Sequence, residues 1–408
     1  MKKLSAILAV IGPGLFLVGY NIGTGSITTM AATGAEYGMV LVWPLLLSCI
    51  FTFFLIIAFG RYTAVTGETA LYSFKKHFGQ GVARFVLFTL LLSEYASSMG
   101  VMAIVTQTVQ EWSRPLTSSG EGFNTVAMTF LFVGILYAIF WNGVYRIFEK
   151  ILALFVGLMG ISFVLTMFMV EPDPAEIIAG LVPRIPKGSN APLLIAGMVG
   201  TTMGGVLYVV RSILVKEKGW TAADLRIERR DAFLSVIVMF VLSVAIMASA
   251  AGTLHPRGLL VENAIDMVRL LEPLAGRFAI SVFVAGIVCA GLSSLFPIAI
   301  LGPWLLADYN NTPRNLQSVQ SRIFVASVLA LGFVVPIFGG RPVLVMIVSQ
   351  ALLTLATPLI IILMVILLNR DSIMGEYRPT VAMNVMLGIV FAFSVAMAGI
   401  GVVGLASL

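Results

Sequence analysis

Ile22-Gly23-Thr24-Gly25-Ser26 and Gly200-Thr201-Thr202-Met203-Gly204-Gly205 are two interruptions rich in glycine and hydroxyl groups, each set inside a long apolar run. Hydrocarbon offers no partner to backbone N–H and C=O groups, so a helix crossing a bilayer must satisfy them itself. An interruption at mid-span is tolerated where it lines a cavity. A matched pair in the two halves of a chain marks the binding site of a membrane carrier.

Composition agrees with a membrane setting. Of 408 residues 59% are hydrophobic and only 11% charged, and the mean hydropathy is +1.03. A soluble domain carries about a quarter charged residues. Runs long enough to cross a bilayer, roughly 20 residues each, are read at 6–33 (broken), 38–60, 82–110, 124–144, 148–170, 192–214 (broken), 232–254, 276–306, 321–339, 343–368 and 381–406. The fold expected is an all-α integral membrane protein of eleven spans. The first run is not read as a cleavable signal, because Gly12-Pro13-Gly14 interrupts it and no small-residue cleavage site follows.

Placing Lys2 and Lys3 in the cytoplasm puts seventeen of the twenty-five Lys and Arg residues on that side, among them Lys75, Lys76, Arg226, Arg229 and Arg230. Seven fall opposite, and Arg211 sits within a span. The bias predicts a cytoplasmic N-terminus and an outer C-terminus in the cell (inner) membrane. The net charge of +6 then reflects topology and contact with anionic lipid, and implies no nucleic-acid partner. Cys49 and Cys289 both lie inside spans and read as buried free thiols. Nothing resembles a nucleotide-binding loop, a nucleophile elbow or a paired metal-ligand histidine motif, so no enzyme, ATP-driven pump or cofactor is expected.

No linker separates domains, so 1–408 reads as one transmembrane unit. Spans one to five (6–170) and six to ten (191–369) each begin with a broken helix. Five is an odd number, which turns the second set upside down relative to the first and gives an inverted repeat. The span at 381–406 is then an addition. Ala175 to Gly180 and the stretch from Leu260 to Leu271 read as short interfacial helices in the outer loops.

Gly12-Pro13-Gly14, the first break, and Ala35-Glu36-Tyr37-Gly38 resemble the opening of the Nramp divalent-metal transporters. Val199-Gly200-Thr201-Thr202 followed by Leu207-Tyr208 and Arg211-Ser212 is similar to that family's sixth helix. Ala290-Gly291-Leu292-Ser293-Ser294 resembles its eighth, and Ser349-Gln350-Ala351-Leu352-Leu353 through Pro358 to Met374-Gly375 its tenth. The resemblance implies a LeuT-type inverted repeat of five plus five spans with helices 1 and 6 broken, as in the wider amino acid–polyamine–organocation superfamily.

The departures are informative. The family's Asp-Pro-Gly-Asn stands here as Gly23, Thr24, Gly25 and Ser26, and its Met-Pro-His as Gly204, Gly205 and Val206. None of the usual metal ligands is retained, including the thioether that favours transition metals; Met203 lies one position away. Ile22 to Ser26 also resembles the Gly-Ser-Gly break of amino-acid carriers, where orphan N–H groups at a half-helix N-terminus hold a carboxylate.

The residues expected to bind the cargo are Asn21, Gly23, Thr24, Gly25, Ser26, Thr201, Thr202, Gly204 and Gln350. Packing of small residues against neighbouring helices is the competing reading for the glycines. Gln350, Thr354 and Thr357 share one face of the tenth span, and in the family pattern the matching Gln reaches the cargo. Ser293 and Ser294 are expected to bond back to their own helix. Glu94 is read as the only acid well inside a span, and a buried carboxylate suggests a proton relay; it falls where the family has an Asp on its proton route, while a nearby family Glu matches Ser97. Arg211, where the family has a His, is read with Glu94 as a coupling residue, either snorkelling, pairing with Glu94 or attracting an anionic cargo.

Taken together, the residues predict a secondary active transporter that works by alternating access, with protons as coupling ion. By resemblance the cargo is a divalent cation, and by site chemistry a hydrated, Mg²⁺-like one. A carrier of a small neutral or carboxylate-bearing solute such as an amino acid is the alternative, and a non-transporting sensor of the same fold a third.

Overall fold

The computed structural model describes residues 23–142, 145–170, 174–186, 188, 190–262, 266 and 276–408. Among these residues there is no strand, and nine helical stretches are long and apolar enough to cross a membrane. The helices are α1 (Thr24–Tyr37), α2 (Val42–Thr66), α3 (Gln80–Ser113), α4 (Thr125–Asn142), α5 (Tyr145–Val170), α6 (Ala191–Met203), α7 (Gly205–Glu217), α8 (Leu225–Thr253), α9 (Gly276–Asn310), α10 (Val319–Leu331), α11 (Pro342–Leu368) and α12 (Val381–Ala406). Spans two to eleven of the sequence reading each correspond to one of these helices or to the pair α6–α7. For the first span only the second half, α1, is described.

Local chemistry sets many of the ends. Gly67 closes α2 in the left-handed conformation at φ 70°, which glycine adopts without steric cost. Ser318 and Thr380 cap α10 and α12, each accepting a bond from the backbone N–H three residues on. A short helix, Pro174–Ala179, lies where a surface helix was expected. The proposed helix between Leu260 and Leu271 falls mostly outside the described residues.

One boundary differs from expectation in a way that matters. The seventh span was expected to begin at residue 232, yet α8 begins at Leu225. Asp224 links to Thr221 in a capping box just before it. Glu228 and Asp231 are therefore carried into the helix and buried, so Glu94 is not the only acid enclosed by the bundle.

Packing places the two interruptions at the centre. α11 lies against α3, α6 and α12, while α9 lies against α3, and α1 packs against α8. Gly34 of α1 meets the Met247 backbone so closely that a methyl group there would overlap its carbonyl oxygen. Such contacts replace the hydrophobic drive that lipid cannot supply between helices.

Candidate functional site

At the first interruption Gly23 is extended, with φ −86° and ψ −170°, and α1 starts at the next residue without a side-chain cap. At the second, Gly204 is extended at φ −65° and ψ 136°, dividing α6 from α7. The two breaks touch: the Ser26 and Thr201 hydroxyls form a buried hydrogen bond of 2.7 Å. A chain separation of 175 residues is thus closed at one point.

Helix α11 tends the second break. The backbone N–H of Gly205, an orphan donor at the start of α7, gives its bond to the Thr357 hydroxyl at 3.0 Å. Thr354 donates to the Ala196 carbonyl at 2.8 Å. Gln350 reaches α3, its Nε2 donating to Ser97 Oγ at 3.2 Å, and Ser97 in turn donates to Ser349 at 3.0 Å. Two glycines make room for this: a Cβ on Gly25 would stand 2.7 Å from Gln350 Nε2, and one on Gly200 would overlap the Gln350 carbonyl oxygen.

These groups enclose a cavity of about 40 Å³ measured for the centre of a water-sized sphere. One water needs roughly 10–15 Å³ by that measure, so a few waters or a small solute can be held. Its polar wall is made by Glu94 and Ser97 of α3, Thr201 of α6, Ser294 of α9 and Gln350 of α11, with Gly23, Gly25, Gly200 and Gly204 at the breaks. Val101, Val206, Leu207, Ile298, Met346 and Leu353 complete it.

Of the residues singled out from sequence, Gly23, Gly25, Thr201, Gly204, Gln350 and Glu94 line this cavity, and Ser26 stands behind Thr201. Asn21 lies outside the described residues. Thr24 is buried, and its hydroxyl has no hydrogen-bond partner among the described residues. Thr202 is displaced from the expected set: its hydroxyl turns to α2, bonding Ser48 at 2.6 Å and the Met198 carbonyl at 2.7 Å. Neighbours on a helix point about 100° apart, so Thr201 and Thr202 serve different partners. Ser293 and Ser294 both donate to the Ala290 carbonyl of their own helix, although Ser294 also borders the cavity.

Arg211 requires a correction. It neither reaches water nor lines the cavity with Glu94, and its side chain is fully buried. Its guanidinium bridges two acids of α8, pairing with Asp231 and with Glu228 Oε1 at 3.0 Å. Trp220 lies under the guanidinium at 5.4 Å. The partners were missed because α8 was read as starting after them.

Ser97 and Met346 were also absent from the expected site. Both were legible by period, Ser97 one turn after Glu94 and Met346 one turn before Gln350. Among the described residues no group of three or more His, Cys, Asp or Glu converges as a metal-binding cluster.

Comparison with known proteins adds to this geometry. Residues 14–404 match the family model described as natural resistance-associated macrophage protein-like, Nramp. The natural resistance-associated macrophage protein 2 homolog of Dictyostelium discoideum is 25% identical over 97% of this chain, which spans 63% of that protein's length. The divalent metal cation transporter MntH of Caldanaerobacter subterraneus subsp. tengcongensis is 22% identical over 98% of the chain and 93% of its own length. Among solved structures, the manganese transporter of Eremococcus coleocola, in complex with an aromatic bis-isothiourea compound, superposes with a TM-score of 0.75 at 14% identity, covering 97% of this chain and 86% of that one. The fold is of the LeuT type.

Proposed function

The chain belongs to the Nramp family, and from that membership we propose that this multi-pass membrane protein is a secondary transporter moving a divalent cation by alternating access about the cavity between its helix breaks. The observation that carries the reading is the Ser26–Thr201 hydrogen bond. It brings the two interruptions together at one enclosed, partly polar space, where a cargo contacts both repeats at once. We take the repeats as 6–170 and 191–369, with 381–406 appended. The N-terminus lies in the cytoplasm, the C-terminus outside, and protons are the coupling ion.

The side chains lining the cavity are oxygen-rich: a carboxylate, hydroxyls and an amide. Such a set suits Mg²⁺, which keeps several waters and needs only one or two carboxylates. Softer transition metals seek thiolate, imidazole or thioether, whereas Mn²⁺ accepts the same oxygen ligands as Mg²⁺. Uptake into proteoliposomes tests this, with Mg²⁺ and Mn²⁺ supplied separately and in competition. Saturable Mg²⁺ uptake that Mn²⁺ inhibits only weakly is expected. Preference for Mn²⁺ would overturn the Mg²⁺ reading.

A second reading, a small organic solute, is favoured by the six apolar side chains in the wall and the glycine start of α1. Thermal stabilisation by an amino acid, abolished by Gly25→Leu, would support it over the cation.

A further inference from the structure

Resting on the cation reading above, we infer that Glu94 of α3 is the group that meets the cargo's positive charge, replacing an acid that the broken helices do not have. The sequence reading assigned Glu94 to proton relay. The structure places it in the wall of the cavity shared by both breaks, 3% exposed, with Ser97 one turn further along the same face.

Among the helices that surround the cavity, no other acid stands at mid-depth. No Asp or Glu occurs between residues 1 and 35, so neither half of the first span carries an acid at mid-depth. None occurs from Ala191 to Lys216 across the second break, nor on α2 or α11. The other acids of α3 and α9 are Glu111 and Asp308, each near the end of its helix. The second break brings Arg211, but Glu228 and Asp231 hold it away from the cavity. Glu94 is the only ionisable side chain among the described residues that line the space. A cation entering a dry, low-dielectric site is costly without an opposing charge, and its entry therefore depends on this carboxylate. Ser97, Thr201 and Gln350 supply neutral oxygens around it.

The placement makes a relocation test available. Gly23 lines the same small cavity and has an extended backbone that any residue adopts. It also holds the N-cap position of α1, where Asp is a favoured residue. An acid introduced there adds a carboxylate to the wall of the same cavity.

The experiment is calorimetric titration of Mg²⁺ and Mn²⁺ into the purified full-length protein, run for wild type, Glu94→Gln, Gly23→Asp and the double variant. Wild type is expected to bind a divalent cation, and Glu94→Gln to bind it at least tenfold more weakly. Gly23→Asp added to Glu94→Gln should recover most of the loss, a result that a merely structural role for Glu94 does not produce. If Glu94→Gln does not fold, Glu94→Asp decides instead, since it keeps the carboxylate but shortens its reach into the cavity and should weaken binding several-fold. Wild-type binding left unchanged by Glu94→Gln, or by Glu94→Asp when only that variant folds, overturns the assignment while leaving the cation reading intact. Absence of any divalent binding to wild type overturns both.

Discussion

Among the described residues, Arg211 and Glu94 mark two buried ionisable sites, and they are built in opposite ways. Around Arg211 every element serves compensation. Two acids from α8 face the guanidinium, Trp220 lies under it, and Gly60 of α2 packs so tightly on Glu228 that a Cβ there would overlap the carboxylate. Glu94 instead lines a cavity, together with hydroxyls, an amide and the two breaks in the backbone. A buried charge paired with two acids and packed against its neighbours is part of the scaffold, whereas an acid in a cavity wall can also meet a cargo. The sign of the charge or its depth alone does not make that distinction.

The comparison is most exposed to attack at Arg211. Removing one partner of a buried ion cluster leaves uncompensated charge and costs about 3–5 kcal/mol. Arg211→Met should therefore lower the thermal midpoint in detergent sharply. The triple change Arg211→Met, Glu228→Leu, Asp231→Leu should regain most of that loss, because a well-packed apolar replacement is often neutral. A single variant as stable as wild type would remove the scaffold role.

Next come the glycines that admit Gln350. Gly200→Ala drives a methyl into the Gln350 backbone carbonyl, and overpacking of that kind costs about 1–3 kcal/mol. Gly25→Ala meets only the ends of the flexible Gln350 and Met346 side chains, which can swing aside. It should leave stability nearly intact while reducing transport. Equal stability losses for the two would mean that α1 and α11 are more rigidly apposed than the contact suggests.

Smaller still is the bond between the breaks. A double-mutant cycle on Ser26→Ala and Thr201→Val, read by thermal or chemical unfolding, should give a coupling of about 0.6 kcal/mol, the average for hydrogen bonds between membrane helices. A coupling near zero would sever the two breaks energetically and weaken the central claim of a shared site.

The least effect is expected at His77, in the last turn of the short helix Ala70–Phe78. Partial burial, then the positive charges of Lys76 and Arg370, hold its imidazole below the ordinary pKa of 6.5. The unfolded chain therefore takes up a proton at higher pH than the folded one does. Stability is greatest above about 6.5 and declines as pH falls through the window beneath it. His77→Asn should flatten that slope slightly without altering transport at neutral pH.

Much of this architecture was legible in the order of residues. Length and apolarity set the spans, because a bilayer leaves the backbone no alternative to helix. Glycine with hydroxyl neighbours marked both interruptions, and the extended backbones at Gly23 and Gly204 lie within them. Helical period also put Ser97 beside Glu94 and Met346 beside Gln350. What stands across from each face was decided only by tertiary packing. Thr201 and Thr202 have nearly the same chemistry, yet one meets Ser26 at the cavity and the other Ser48 on α2. Arg211 found its acids 17 and 20 residues away on the next helix, and Glu94 found the space between two breaks that lie far from it in the chain. Periodicity specifies the direction in which a side chain leaves its helix. The partner it encounters depends on how the helices are assembled, and that information is spread over the whole chain.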